Sequence, residues 1–344
     1  MSAKPFPDRM KAVVLDSYTG AQALRLEERP VPKPGQDQVL VKVAASPINP
    51  SDLSFIHGLY GFQKPLPVVP GMEGSGTVVA AGSGLMARYL QGKRVACVSQ
   101  SRGDGVWAEY ALIASNSVLP VDSSVSLEQG AMSVVNPLTA VALLTIAEQG
   151  GHKAIVNTAA AGALGQMINR LGLSQGIRVI NIVRREAQVD LLKQQGATDV
   201  LNSSSSDFAQ QLRDLCHQYR VRLAFDAISG PMTVQLLDAM PPHSRVTIYG
   251  GFSLEAAPVW PGQVIFEDKA VDGFWLSAWM GEHNLLQNLL IWRRAQKLLP
   301  TVLRSEIRAR YPLEAAAKAL ADYQDTMTGG KVLLVPAAED PPLE

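Results

Sequence analysis

Residues 153–166 read KAIVNTAAAGALGQ, and the fold turns on them. Lys153 to Thr158 is an apolar run of strand length. After it, Ala159, Gly162 and Gly165 keep the three-residue spacing of a dinucleotide-binding turn that opens a helix. The middle small residue lets backbone approach a pyrophosphate, and the helix N-terminus offers N–H groups and the positive end of its dipole. On this reading residues Ala161, Gly162, Ala163, Leu164 and Gly165 hold the cofactor phosphates. Ala replaces the first Gly, and small residues also suit plain close packing of a helix on a strand. The strand before, the helix after and a second strand ending about 20 residues on favour the cofactor.

Toward the C-terminus, strands alternate with stretches of helical period, the signature of βαβ units around a parallel sheet. RVINIV (Arg178 to Val183), Asp199 to Asn202, Arg222 to Ile228, RVTIYGG and KAVDGFWL follow as strands, with helices over Gly165 to Leu173, Glu186 to Gln195 and Ser206 to Tyr219. That makes one doubly wound sheet. An amphipathic helix, Glu282 to Leu299, leads away. The tail from Val302 carries a strand, a helix (Leu313 to Tyr323) and a strand (Lys331 to Val335), and is expected to return to the N-terminal domain.

Toward the N-terminus, the stretch from Lys11 to about Ser126 is different. KAVVLD, VLVKVAAS, GTVVAAG, RVACVSQ and WAEYALI are short β-rich pieces between Pro and Gly punctuation, which fits an antiparallel barrel or sandwich. The expected domains are therefore 1–126 with 301–344, and 127–300.

Composition narrows the partner. Lys plus Arg equals Asp plus Glu at 31 each, so no net field draws the chain to nucleic acid or an anionic membrane. A small molecule is expected. No apolar run reaches the roughly 18 residues needed to span a bilayer, and MSAKPFPDRMK at the N-terminus has no apolar signal core. Cys97 and Cys216 stand alone, which fits a reducing, cytoplasmic setting.

At the end of the second strand an NAD enzyme usually carries Asp or Glu for the ribose 2′-hydroxyl. Here Arg184 and Arg185 stand there, and two guanidinium groups suit the 2′-phosphate of NADPH. A solvated charge pair is the plain alternative.

The domain order, the dinucleotide turn and several short motifs resemble the medium-chain dehydrogenase/reductase superfamily over nearly the whole chain. That implies a Rossmann NADPH-binding domain plus a GroES-like β-barrel domain, and a homodimer joined through the edge strand near Lys269 to Leu276. Zinc members of that superfamily use a Cys and a Gly-His-Glu segment as catalytic ligands. The corresponding stretches here are Asn49-Pro50-Ser51-Asp52 and Gly71-Met72-Glu73, and Cys97 is too isolated for a four-Cys structural site, so no metal is expected. Without a Lewis acid, the feasible acceptors are already activated: an enone, an enoyl thioester or a quinone.

INPSD (Ile48 to Asp52) and VNPLT (Val135 to Thr139) resemble both quinone reductases and enoyl thioester reductases. Gly58-Leu59-Tyr60-Gly61, RVINIVRR and FEDKAVDGFWLSAW (Phe266 to Trp279) look more like the mitochondrial-type trans-2-enoyl thioester reductases. Hydride addition to an enoyl thioester leaves an enolate that needs a donor at its oxygen, and a phenol with an ordinary pKa near about 10 can donate at pH 7. The resemblance assigns Tyr60 that role over loop packing, with Asn49 as a polar neighbour. It also places Thr139, Tyr249, Gly250, Gly251, Phe274, Trp275 and Lys331 against the cofactor, and Trp107 beside an acyl pocket. Each has a plain reading too, since Thr caps helices, Gly-Gly ends strands and aromatics fill cores.

Overall fold

A computed structural model describes residues 6–336; the MSAKP start of the chain and residues 337–344 lie outside them. The chain divides into two compact units, one of residues 1–135 with 305–344 and one of residues 136–304. Both boundaries fall later than the sequence suggests. The first moves because the short helix Leu127–Ala131 packs on strands of the N-terminal unit and not on the parallel sheet.

In the first unit, strands β1 (Arg9–Leu15) and β2 (Leu24–Pro30) form an antiparallel hairpin. Strands β3 (Gln38–Pro47), β4 (Glu73–Ala81), β5 (Arg94–Val98), β6 (Tyr110–Ala114) and β7 (Val118–Pro120) make an antiparallel sheet, with β3 and β4 at its centre. Gly76 on β4 lets β3 approach, because a Cβ there would sit 1.9 Å from the Lys42 carbonyl oxygen. The core is the inward face of these strands, with Val13, Leu15, Val39, Val41, Val78, Val95 and Trp107 all buried.

The second unit holds β8 (Ala154–Asn157), β9 (Arg178–Val183), β10 (Asp199–Asn202), β11 (Leu223–Asp226), β12 (Arg245–Ile248) and β13 (Ala270–Gly273) in the order β10-β9-β8-β11-β12-β13, all parallel. β8 is the first strand of the sheet and β11 the fourth, so the order reverses beside β8. Ligands of doubly wound sheets bind at the carboxyl ends of the strands at such a switch point. β13 is an edge. Among the described residues no helix is long and apolar enough to cross a membrane.

The tail contributes β14 (Ile307–Tyr311), helix Ala316–Asp325 and β15 (Lys331–Leu334) to the first unit. β15 pairs antiparallel with β3, Leu333 opposite Pro47, and this carries Lys331 into that unit's interior.

The dinucleotide turn carries a steric demand that predicts a mutational asymmetry. A Cβ on Gly165 would lie 2.6 Å from the Ala160 Cα, whereas Ala159 already holds a left-handed backbone (φ +47°). Gly165→Ala should lower stability by about 1–3 kcal/mol, as forced overpacking does. Ala159→Gly should be nearly neutral, relief of left-handed strain offsetting glycine's greater unfolded freedom. Thermal denaturation of the two variants checks this; equal losses would refute it.

Candidate active site

The carboxyl ends of the parallel strands collect most of the residues expected at a cofactor. Beyond β8, Ala159 turns the chain, the Gly162 N–H donates to the Ala159 carbonyl (2.9 Å), and the helix Ala163–Ser174 starts. The N–H groups of Ala163, Leu164 and Gly165 belong to its first turn and have no intrahelical acceptor. Ala161 is buried beneath them, so the small residues leave backbone, not side chains, on the outer surface.

The turn is anchored from below. Asn157 Nδ2 donates to the Gly165 carbonyl (3.0 Å) and to Asn181 Oδ1 (3.1 Å), and Asn181 Nδ2 donates to Asn169 Oδ1 (2.8 Å). All three asparagines are buried. An amide ladder thus ties the phosphate helix to two strands.

At the end of β9, Arg184 and Arg185 are exposed. The serine tract packs beside them: Ser203 N–H donates to the Val183 carbonyl (2.7 Å) and Ser204 Oγ to the Arg184 carbonyl (3.0 Å). The serine tract thus packs on the backbone that carries the two arginines. No carboxylate stands at either position.

Past β11, buried Asp226 accepts from Thr158 Oγ1 (2.8 Å), the Ile228 N–H (2.9 Å) and Thr233 Oγ1 (2.7 Å). This fixes the turn over which Tyr249, Gly250 and Gly251 run. The Tyr249 N–H donates to the Asp226 carbonyl (2.9 Å), and a Cβ on Gly250 would come within 2.7 Å of the Ala227 carbonyl oxygen. Phe274, half-buried, follows β13 with its N–H on the Ile248 carbonyl (2.8 Å), and Trp275 beside it is 44% exposed. Thr139 lies buried in the second turn of the helix Val135–Gln149.

The first unit holds a second polar centre. Asn49 caps the helix Pro50–Ile56, with its N–H on Asp52 Oδ2 (2.8 Å); Asp52 Oδ1 accepts from the Met72 N–H (2.9 Å). Asn49 Nδ2 donates to Glu73 Oε1 (2.9 Å), while Glu73 Oε2 accepts from the Val134 and Val135 N–H groups (3.2 and 2.8 Å) at the start of the next long helix. Lys331 completes it, its Nζ donating to Asn49 Oδ1. All four side chains are at most 2% exposed. Burial pushes Asp52 up to about 7, raises Glu73 and lowers Lys331, while the opposed charges of Lys331 and the two carboxylates pull each group back.

Tyr60 lies half-buried on the loop after Pro50–Ile56, edge-on to Phe62 at 5.0 Å between ring centroids. Trp107, expected beside an acyl pocket, is instead a core residue with no exposed surface. It stacks on Gly71, where any Cβ would fall 2.4 Å from its ring.

Family models match in two places. The alcohol dehydrogenase GroES-like domain covers residues 35–123, and the zinc-binding dehydrogenase model covers residues 163–290. The mitochondrial enoyl-[acyl-carrier-protein] reductase of Bos taurus is 31% identical over 289 residues, which is 82% of this chain and 77% of that protein. The chain belongs to the medium-chain dehydrogenase/reductase superfamily. Among solved structures of this superfamily of oxidoreductases, a candidate NADPH:quinone reductase from Mesorhizobium loti matches with a TM-score of 0.91 at 38% identity, covering 96% of this chain and 99% of that one. A mycobacterial protein solved in complex with NADPH matches at 0.83 and 25% identity, covering 95% and 100%.

The zinc in the name of the second model does not fit the donors present. At the superfamily's ligand positions stand an amide, Asn49, and a thioether, Met72, and an ammonium occupies the space beside them. Among the described residues no group of three or more His, Cys, Asp or Glu could hold a metal ion. The Cys97 thiol, pushed up to about 12 chiefly by burial, is no thiolate.

Asp226, Glu73 and Asp52 were not expected as site residues. Asp226 had a signal, an acid closing the apolar strand LAFD. Asp52 had a local signal in the capping pair Asn49 and Asp52, whereas Glu73 had none, because its partners Asn49, Val134 and Val135 lie far away in sequence. Their dependence on Lys331 is testable: Lys331→Met should destabilise the protein by about 3–5 kcal/mol, since it leaves two carboxylates buried without a cation. Adding Glu73→Gln should recover part of that loss in chemical denaturation. A silent Lys331→Met would show that the cluster is not held by charge.

Proposed function

We propose that this chain is an NADPH-dependent reductase that transfers hydride to an activated C=C, above all that of a trans-2-enoyl thioester, and that it works without zinc. The observation that carries the reading is the pairing of a dinucleotide cradle ending in Arg184 and Arg185 with the tyrosine loop of a chain 31% identical to an enoyl-[acyl-carrier-protein] reductase.

The cofactor fits. Gly162 stands in nearly open space, where a Cβ would meet only the Ala159 carbonyl oxygen at 3.3 Å, and Gly165 lets the helix sit close on Ala160. The first-turn N–H groups lack intrahelical acceptors, and the arginine pair with Ser203 and Ser204 suits a 2′-phosphate. Tyr249, Gly250, Gly251 and Thr139 would bound the nicotinamide end, with Phe274 and Trp275 beside it. When bound, NADPH would supply a hydride to the β-carbon of the acceptor.

The chain's own groups do the rest. Tyr60 would donate a hydrogen bond to the enolate oxygen as the negative charge develops there, and a proton delivered from solvent to the α-carbon completes the reduction. Asn49 is held with one amide end on Lys331 and the other on Glu73, so its orientation is fixed before substrate arrives. In the place of a metal the chain has a buried ammonium, Lys331, and this is what supports zinc independence.

The Mesorhizobium loti neighbour favours a second reading, NADPH:quinone oxidoreduction. A third, an NADPH-binding protein that reduces nothing, has no feature of its own in its favour. Two buried, unpaired cysteines support a reducing compartment, the cytoplasm.

NADPH oxidation by the pure protein with crotonyl-CoA, hexenoyl-CoA and a quinone separates these readings. The thioesters should turn over faster. Tyr60→Phe should lower kcat on them by about 10²-fold and leave the quinone nearly untouched. Arg184→Ala should raise KM for NADPH by about 10-fold or more and KM for NADH hardly at all. A quinone turned over faster, with Tyr60→Phe silent, would replace the first reading by the second.

The protein is further proposed to be a homodimer. β13 is an unpaired sheet edge, and Val271 on it and Trp275 just past it are exposed, with Ile265 and Phe266 nearby at 68% and 81%. Light scattering should give twice the chain mass of 36.9 kDa; the mass of one chain would remove the proposal.

A further inference from the structure

The tyrosine loop contains a buried cation that the reaction described above does not use. Lys64, four residues beyond Tyr60, is 5% exposed. Its ammonium donates to Ser99 Oγ (2.7 Å) and lies over two aromatic rings, 5.7 Å from the Phe55 centroid and 5.8 Å from that of Phe62. No carboxylate lies within ion-pair distance among the described residues. A lysine taken out of water without a counter-ion is costly, so its place needs a compensating contact.

The contacts lead to Tyr60. Phe62, under the Lys64 ammonium, meets the Tyr60 ring edge-on at 5.0 Å, an interplanar angle of 86°. On the other side Phe62 packs on Phe55 (6.1 Å), and Phe55 on Tyr18 (5.6 Å). The Tyr18 hydroxyl closes the ring of contacts: it donates to the Lys64 carbonyl (2.8 Å) and accepts from the Lys64 N–H (2.6 Å). Both the backbone and the head of Lys64 are thus fixed, and Phe62 is the ring that touches both that head and Tyr60.

We infer that Lys64 is a positioning residue for Tyr60, its ammonium clamping Phe62 and Phe55 so that the Tyr60 ring is held in one orientation on an otherwise irregular loop. The inference rests on the reading of Tyr60 as the donor in enoyl thioester reduction. It adds a residue that touches neither substrate nor cofactor and acts only through the rings.

The clamp is charge-dependent, which gives it a signature that mere packing lacks. Burial pushes Lys64 down to about 8, with Asp104 and Asp52 opposing that fall. The polar and titratable groups set toward it are Ser99 and Asp104 from the segment after β5, Asp52 on the helix Pro50–Ile56, and Tyr18 from the segment after β1. The ammonium is present below about pH 8 and lost above it, and with it the attraction to the rings.

The test uses the full chain with NADPH and crotonyl-CoA. Lys64→Met should lower kcat by about tenfold with KM for NADPH unchanged, and should erase an alkaline fall in kcat centred near pH 8. Lys64→Arg, which keeps a cation over the rings, should restore most of kcat. In a Tyr60→Phe background Lys64→Met should cost nothing further. Hydrogen exchange of the amides of residues 58–67 should quicken in Lys64→Met and not in Lys64→Arg.

Unchanged exchange and kcat in Lys64→Met, or an equal loss in the Tyr60→Phe background, would overturn the inference. A Tyr60→Phe enzyme as active as its parent would sink the donor reading by itself, and the exchange data would then decide whether Lys64 holds the loop. If Lys64→Met does not fold, Phe62→Leu breaks the same chain of contacts from the exposed side and must give the same kcat loss and faster exchange; a silent Phe62→Leu would overturn the inference equally.

Discussion

An ammonium group sealed away from water organises the first unit. Lys331 reaches Asn49 across 282 residues of sequence, and around that contact stand Glu73 and Asp52, equally buried. None of the charges would be tolerated alone in such a place. Together they join the tail strand β15, the capped helix Pro50–Ile56, the start of β4 and, through Glu73, the N–H groups of Val134 and Val135. The C-terminal segment is therefore a structural member of the N-terminal unit, and the loop that carries Tyr60 springs from a helix whose cap is part of the same cluster.

The second unit solves an analogous problem with amides, hydroxyls and one buried acid. Its amide ladder, Asn157 to Asn181 to Asn169, and the hydroxyl pair on Asp226 put polar atoms directly beneath the ends of β8 and β11. Such buried bonds favour one arrangement, here without every atom being paired: Asn157 Oδ1 and Asn169 Nδ2 have no partner among the described residues. Here they hold the backbone of the phosphate turn, which needs rigid N–H groups and has no side chains to supply grip.

Much of this was legible in the sequence where the constraint is local. The turn Ala159 to Gly165 is recognisable because small residues are required within a few positions of one another, and the alternation of the following strands and helices is carried by short-range periodicity. Other elements escaped for definite reasons. β2, LRLEERP, is mostly charged and half-solvated, and so carries no apolar run. The helix Val135–Gln149 is buried on nearly all sides, so no amphipathic stripe marks it. Pro50–Ile56 is a bare two turns, and its Asn-Pro start reads as a loop. The Lys331 cluster and Lys64 were invisible as a pattern: Lys64 stands in QKPLP, a stretch that looks like solvent-facing loop until Phe55, Phe62 and Ser99 close over it.

The two cysteines also bear on how a reductase of the proposed acceptors would withstand them. Enones, enoyl thioesters and quinones are electrophiles that alkylate thiolates. Both Cys97 and Cys216 are enclosed, and burial pushes each thiol up to about 12, so neither is ionised near neutrality or open to attack. If the proposed acceptors are its substrates, burial of both thiols keeps its only cysteines from being alkylated by them.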